Sequence, residues 1–509
     1  VSTQATLLGK HLQMSTGKNT PSLVVRDAGT TVTLYDLSSS QHSDGAIRVE
    51  HQASLTLETA SFGGNVGTYG GCLHVLDQGT TVVMKHITVN SVQVTEDGGF
   101  LSAEHGGHVS FHDLMLSKAS AQRGSVIAAS YGGIVDGSEL RLNDIDAEQR
   151  GAFVHAMDPY SKVTLKNITL QNAKSMLGSV ISATAGSTVE VLRMVVVDAQ
   201  SRESGSIVSC EGLHTRVLLQ QVTGTNLKAV QSGGVVHALN GSTVLVEDSN
   251  FEEMYAYSGG TIYAHGAQTM VSLKRSKFYN SIAKALGGGI HVESHAVVKL
   301  RDTEWRKMSV SCDKSWEKGH HTCLGAGIYV EGGAKVLGGN QRQFNNFIDM
   351  KADIGAGVVS YGLKNEVTGI SFTMLTAQNG AGIYVLQEQS HNNKKVLLAS
   401  ASASARASAG ALTSQQKQIY NVQLSHVGFS QSNATENGGI LYTADAGSYT
   451  KVKDMFVGNV RAKNGGLAYV HNSSVEMEDL SVTNCEAEIY GGLMLVEMTS
   501  RVKIRGGTI

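Results

Sequence analysis

The stretch "QSGGVVHALNGSTVLVEDSNF", Gln231 to Phe251, sets a glycine pair before an alternating apolar run, a small turn and a second alternating run. A second stretch, "NGGLAYVHNSSVEMEDLSV" from Asn464 to Val482, follows the same grammar with few identical letters. Recurrence of that kind has to be measured first, because a repeat that goes unnoticed misassigns the whole fold. Taking one glycine step per unit, where it opens an apolar strand, gives Gly45, Gly70, Gly98, Gly124, Gly151, Gly178, Gly205, Gly233, Gly259, Gly287, Gly325, Gly355, Gly380, Gly438, Gly465 and Gly491. Most neighbours in that series are 25 to 30 residues apart; the two wide gaps, Gly287 to Gly325 and Gly380 to Gly438, mark insertions. The chain is an array of units of about 27 residues.

Each unit reads as short strands and turns. Period-two runs such as "TVLVED", "MVSLKR", "VVKLRD" and "TVEVLR" are bounded by Gly, Ser, Asn and Asp, the signature of strands. A third apolar slot follows 17 to 19 residues after the glycine and is often aromatic: Phe62, Phe251, Phe278, Trp305, Phe344, Phe372 and Phe456. Three strands per unit follow from this pattern. Leucine-rich repeats overlap in period, but their L-x-x-L-x-L-x-x-N signature is absent, and propeller blades need longer units. The expected fold is an all-β, right-handed parallel β-helix, with Phe251 and Phe278 in one internal slot of adjacent coils. Two prolines in 509 residues fit continuous ladders, since proline cannot donate to them; Pro159 falls in the turn "MDPYSK". The phased glycines are expected at sharp corners that need a left-handed backbone or close approach.

The strings "FVGNVRAKNGGLAYV" (Phe456 to Val470) and "FYNSIAKALGGGIHV" (Phe278 to Val292) resemble the repeats of polymorphic outer-membrane-protein-type surface proteins, within the pectin-lyase-like β-helix superfamily. Phe62 with Asn65 and Phe456 with Asn459 carry the F-x-x-N spacing; Phe278 and Asn280 are closer together. The resemblance implies the fold and a place at a cell surface.

Composition narrows the functional classes. With 41 basic and 43 acidic residues the net charge is −2, so no global field recruits nucleic acid or anionic lipid. No apolar run reaches the roughly 18 residues of a membrane helix. Residues 1–509 are read as a single continuous β-helix segment with incomplete coils at both ends and insertions near 306–324 and 387–419. Val1 and Ile509 fall in mid-coil, which leads to the expectation of further β-helix in the same chain or an identical neighbour docked end to end. About sixteen coils at ~4.8 Å each would make a rod of roughly 75 to 80 Å.

Candidate sites are few. Cys312 and Cys323 share the insertion "SVSCDKSWEKGHHTCLG", where a disulfide is expected. Zinc held by these cysteines with His320 and His321 is a competing arrangement, disfavoured because adjacent histidines point apart on extended chain, and free thiols are the third. Cys72, Cys210 and Cys485 occupy different coil positions and read as isolated thiols. Asn167, Asn240, Asn433 and Asn472 begin N-x-[ST] sequons, candidate glycosylation sites in a secreted protein. The stretch "LLASASASARASAGALTSQQ", Leu397 to Gln416, reads as a surface loop within the second insertion.

Asp144 and Asp146 in "LNDIDAE" are the tightest aspartate pair and the weak catalytic candidates, against the alternative of a solvated turn. "EHGGHVSFHD", with Glu104, His105, His108 and His112, suggests a metal by composition, but its spacing suits a helix and it lies on a turn and strand. No cofactor and no metal site are expected. The function expected is that of a non-catalytic structural or adhesive rod segment of a longer extracellular or cell-surface protein. The alternative is a β-helix that binds or cleaves polysaccharide, and glycans are the one small-ligand class anticipated.

Overall fold

The computed structural model describes residues 5–15, 21–311, 324–339, 345–362, 364–386, 422–443 and 448–508. The expected disulfide pair, the histidines beside it, Phe344 and the alanine–serine stretch lie outside these residues. The described residues fall into two compact units, Val1–Ala256 with Thr261–Tyr279, and Tyr257–Gly260 with Asn280–Ile509.

Both units are parallel β-solenoid, with no helix among the described residues. In the first unit Ile127 pairs with Val154, Val154 with Ile181 and Ile181 with Val208, each step 27 residues. In the second, Ile328 pairs with Val358, Val358 with Ile383, and Leu441 with Ala468. Each coil opens with a strand of three or four residues, such as Ile181–Thr184, crosses a turn, and continues into the second and third strands. In several coils those two strands are continuous: Ile134–Arg150, Lys162–Leu177 and Thr188–Ser204 bend without losing their ladders. Pro159 sits in a turn between strands, where its missing N–H costs no ladder bond.

Two classes of left-handed residue make the bends. The first is the periodic glycine, as expected from the sequence. A Cβ on Gly233, whose φ is +66°, would stand 2.1 Å from the carbonyl oxygen of Val236, so no other residue fits. The second class was not anticipated: in most of the described coils a polar residue takes a left-handed conformation where the second strand meets the third. Asp113, Glu139, Asn167, Arg193, Gln221, Asp248 and Arg275 occupy this corner in successive coils. A similar corner follows within the third strand, at Asp144, Asn172, Asp198 and Asn226. Asn and Asp tolerate this conformation better than most side chains.

Inward residues stack into columns. Phe251 and Phe278 are fully buried with ring centroids 5.6 Å apart, as the repeat predicts. In the second unit Trp305, Phe347, Phe372 and Phe429 form one column, with centroids 5.1, 5.1 and 5.3 Å apart. Phe456 does not join it. That residue pairs with Gly428 and is 55 % exposed, while Val457 takes the inward slot beside Phe429. The corner at Asp454 sets the alternation that follows, so Met455 and Val457 face in and Phe456 faces out.

Candidate functional site

Parallel register turns one residue per coil into a row of side chains, and two such rows form a depression in the first unit. Val83 pairs with Ser110, Ser110 with Asp136 and Asp136 with Thr164; alongside, Lys85 pairs with His112, His112 with Ser138 and Ser138 with Lys166. Together with Met84, Phe111 and Gly137 these residues line a depression of about 390 Å³. Gly137 belongs to the inward row, where the ring of Phe111 occupies the space a Cβ would need: Phe111 Cζ would be 2.4 Å from it. Four coils span about 14 Å, a length suited to a short oligosaccharide rather than a small metabolite.

Polar groups in and beside this depression make contacts between coils. His108 Nε2 lies 3.0 Å from Asp136 Oδ2, His112 Nδ1 lies 3.0 Å from Ser138 Oγ, and Lys85 Nζ lies 3.5 Å from Glu58 Oε1. Lys85, His112 and Lys166 with three hydroxyl groups suit an acidic sugar. Asp136 is the one carboxylate among the lining residues. Glycoside hydrolysis by the usual route uses two.

The group "EHGGHVSFHD" therefore divides. His112 lines the depression and His108 contacts its Asp136, whereas His105, in a turn, stacks on Tyr131 with centroids 4.8 Å apart. Glu104 Oε1 is 3.1 Å from His74 Nε2 and accepts from Ser102 Oγ at 2.8 Å. Burial alone would raise the Glu104 pKa; the hydrogen bonds from His74 and Ser102 and the nearby imidazoles outweigh it and hold it below the usual value. The four residues do not converge on one point.

Asp144 and Asp146 also have separate partners. Asp144 is exposed at its left-handed corner; Oδ1 accepts from Asn172 Nδ2 and Oδ2 from Asn143 Nδ2, both at 2.9 Å. Asp146, half-buried, has Oδ2 3.8 Å from Arg202 Nη2, and its carbonyl accepts from the Ser125 hydroxyl. Among the sequons, Asn240 and Asn433 are exposed. Asn167 donates to Glu139 and accepts from Arg193, and Asn472 accepts from Thr499 at 2.7 Å. Cys72 and Cys210 are buried and unbridged, and burial pushes the Cys210 thiol up to about 12; Cys485, half-buried, is pushed up to about 11.

A second polar surface covers the outer face of the first-strand column. Asp97, Arg123 and Arg150, each just before a left-handed glycine, lean across it. Asp97 accepts a bidentate pair from Arg123, Nε at 2.7 Å and Nη2 at 2.9 Å, and Arg150 Nη2 reaches Glu211 Oε2 at 3.2 Å. Beneath them are His155 and His237, 3 % and 8 % exposed. Burial, reinforced by Arg123 and Arg150 at His155 and by Arg150 and His265 at His237, pushes each imidazole down to about 3. The backbone of Ser182 works against that shift at His155, although neither ring nitrogen makes a hydrogen bond of normal geometry. Imidazoles held neutral in this way are poor general bases near pH 7.

In three coils of the second unit the position before the glycine carries asparagine: Asn379, Asn437 and Asn464. Asn437 Nδ2 donates to Asn379 Oδ1 at 3.1 Å, and Asn464 Nδ2 donates to Asn437 Oδ1 at 2.9 Å. Alongside, Tyr384, Tyr442 and Tyr469 stack with centroids 4.7 and 5.1 Å apart. The signal for both columns was in the sequence, as Asn immediately before the glycine step and Tyr four residues after its first glycine.

No family model matches the chain, and no curated protein or solved structure matches it.

Proposed function

We propose that this chain is a non-catalytic structural or adhesive segment of an extracellular or cell-surface protein, built on a β-helix of the pectin-lyase-like kind and resembling polymorphic outer-membrane-protein-type surface repeats. The observation that carries the reading is the partnering of Asp144. A candidate catalytic carboxylate is instead one rung of a corner column, held by Asn143 and Asn172, and Asn226 bonds Asp198 in the same way two coils on. Parallel ladders extend by adding equivalent strands, so the partner such a segment would take is more of the same coil, in its own polypeptide or in an identical neighbour. Exposed Asn240 and Asn433 are the sequons best placed to carry glycans.

A second reading, binding or cleavage of polysaccharide, is favoured by the depression between Lys85 and Lys166. One assay separates the two. Purified protein would be incubated with neutral and acidic polysaccharides, with binding and release of new chain ends both measured. Retention of acidic glycan without cleavage, weakened in Lys85→Glu and Lys166→Glu, supports an adhesive role. Turnover that disappears in Asp144→Asn or Asp146→Asn overturns it in favour of an enzyme.

A further inference from the structure

His291 and Glu293 stand two apart on the strand Ile290–Glu293, so their side chains leave the same face. The neighbouring strand Ile328–Glu331 runs parallel with His291 opposite Tyr329 and Val292 opposite Val330, which sets Glu331 beside Glu293. One ligating atom from each of His291, Glu293 and Glu331 lies within 4.8 Å of the other two. His291 Nε2 is 3.7 Å from Glu293 Oε2, beyond a hydrogen bond but at the separation two ligands of one cation keep. With bonds of about 2.0 to 2.2 Å, ligand atoms sit roughly 3 to 4.2 Å apart, so a small rotation of either glutamate closes the set.

The surroundings suit a cation. The imidazole of His291 is 4 % exposed and meets Tyr329 edge to face, with centroids 4.8 Å apart. Tyr329 Oη donates to Glu331 Oε2 at 3.2 Å, orienting the carboxylate from outside the ligand set. Two half-buried carboxylates on adjacent strands repel one another, and a dication between them turns that repulsion into attraction. A buried imidazole nitrogen with two carboxylates favours first-row transition ions over calcium or magnesium, which prefer oxygen alone.

We propose that His291, Glu293 and Glu331 form a binding site for a divalent transition-metal cation such as Zn²⁺ or Mn²⁺. The ion links two successive coils, one giving His291 and Glu293 and the next giving Glu331, and stabilises the folded state by an amount that grows with the logarithm of free metal above its Kd. This assignment departs from the sequence reading, in which no metal site was expected. It is independent of the adhesive role proposed above.

The test is calorimetric titration of chelator-treated protein with ZnCl₂, MnCl₂, CaCl₂ and MgCl₂, alongside thermal unfolding with and without each salt. Wild-type protein is expected to bind one Zn²⁺ or Mn²⁺ at a site that also raises the unfolding temperature. Glu331→Gln and Glu293→Gln, which keep side-chain shape, should each weaken that binding at least about tenfold. His291→Asn should abolish the visible absorption of bound Co²⁺. Should that variant fail to fold by circular dichroism, the two glutamine variants decide the matter. Absence of binding in wild type, or binding unchanged in Glu293→Gln/Glu331→Gln, overturns the site; calcium or magnesium binding as tightly as zinc overturns the metal class.

Discussion

The ring of Phe278 lies one coil from that of Phe251, with centroids 5.6 Å apart and planes inclined by 15°. Both side chains are fully buried, so each ring is part of the wall against which the other packs. Phe278→Ala should lower stability by about 3 to 5 kcal/mol, while Phe278→Leu should cost well under half of that. Urea unfolding followed by far-UV circular dichroism measures both; equal midpoints for wild type and the alanine variant would rule out this packing.

Glycine substitutions should divide sharply by position. Gly233→Ala forces a left-handed alanine and places Cβ 2.1 Å from the Val236 carbonyl oxygen, with an expected loss of more than about 2 kcal/mol. Gly428 has no left-handed φ, and its nearest neighbour would be Ser371 Oγ at 3.6 Å, so Gly428→Ala should stay within about 0.5 kcal/mol of wild type. The same urea titration reads the contrast, and similar losses at both positions would contradict it.

His155 and His237 set an acid limit on stability. Each is pushed down to about 3, whereas an unfolded histidine titrates near 6.5. Between those values the unfolded chain binds protons that the folded chain does not, so stability falls as pH drops from about 6.5 toward 3 and is level above. The slope is up to about 1.4 kcal/mol per pH unit for each histidine. Urea midpoints from pH 7.5 to 5 should therefore fall less steeply in His155→Gln/His237→Gln than in wild type. Identical profiles would mean that the imidazoles are not held neutral.

Asn437 both donates to Asn379 and accepts from Asn464, so Asn437→Leu breaks two hydrogen bonds and leaves polar groups on each side. A cost of about 1 to 3 kcal/mol is expected. Asn437→Asp keeps the shape and the acceptor from Asn464 but loses the donor to Asn379, and should fall between wild type and leucine. Thermal unfolding orders the three; a leucine variant as stable as wild type would mark the ladder as dispensable.

Much of the fold was legible in the sequence, because what fixes it is local and repeated. Left-handed glycines such as Gly233 announce the period, and alternation announces the strands. Phe251 and Phe278 share an offset from their glycines and share a slot. Phe456 shows the limit: its distance from the glycine matches the aromatic slot, yet whether it faces in or out depends on where the left-handed corner falls, and Asp454 places it outside. The depression around His112 was less accessible still. Lys85, His112, Ser138 and Lys166 are separated by whole coils and become neighbours only through register, which a short motif does not encode. Asp144 and Asp146 posed the reverse problem, since adjacency along the chain suggested one site and the backbone corner gives each its own partners.

The spacing that joins Ile127 to Val154, Ile181 and Val208 also governs how such a gene can change length. A single residue inserted within a strand exchanges inner and outer faces for the rest of that strand and puts lysines where valines were. Insertion or loss of an entire coil leaves every remaining side chain facing as before, because each coil contacts little beyond its immediate neighbours. Viable length variants should thus differ by whole coils or by extra residues at turns, with strand interiors free of either.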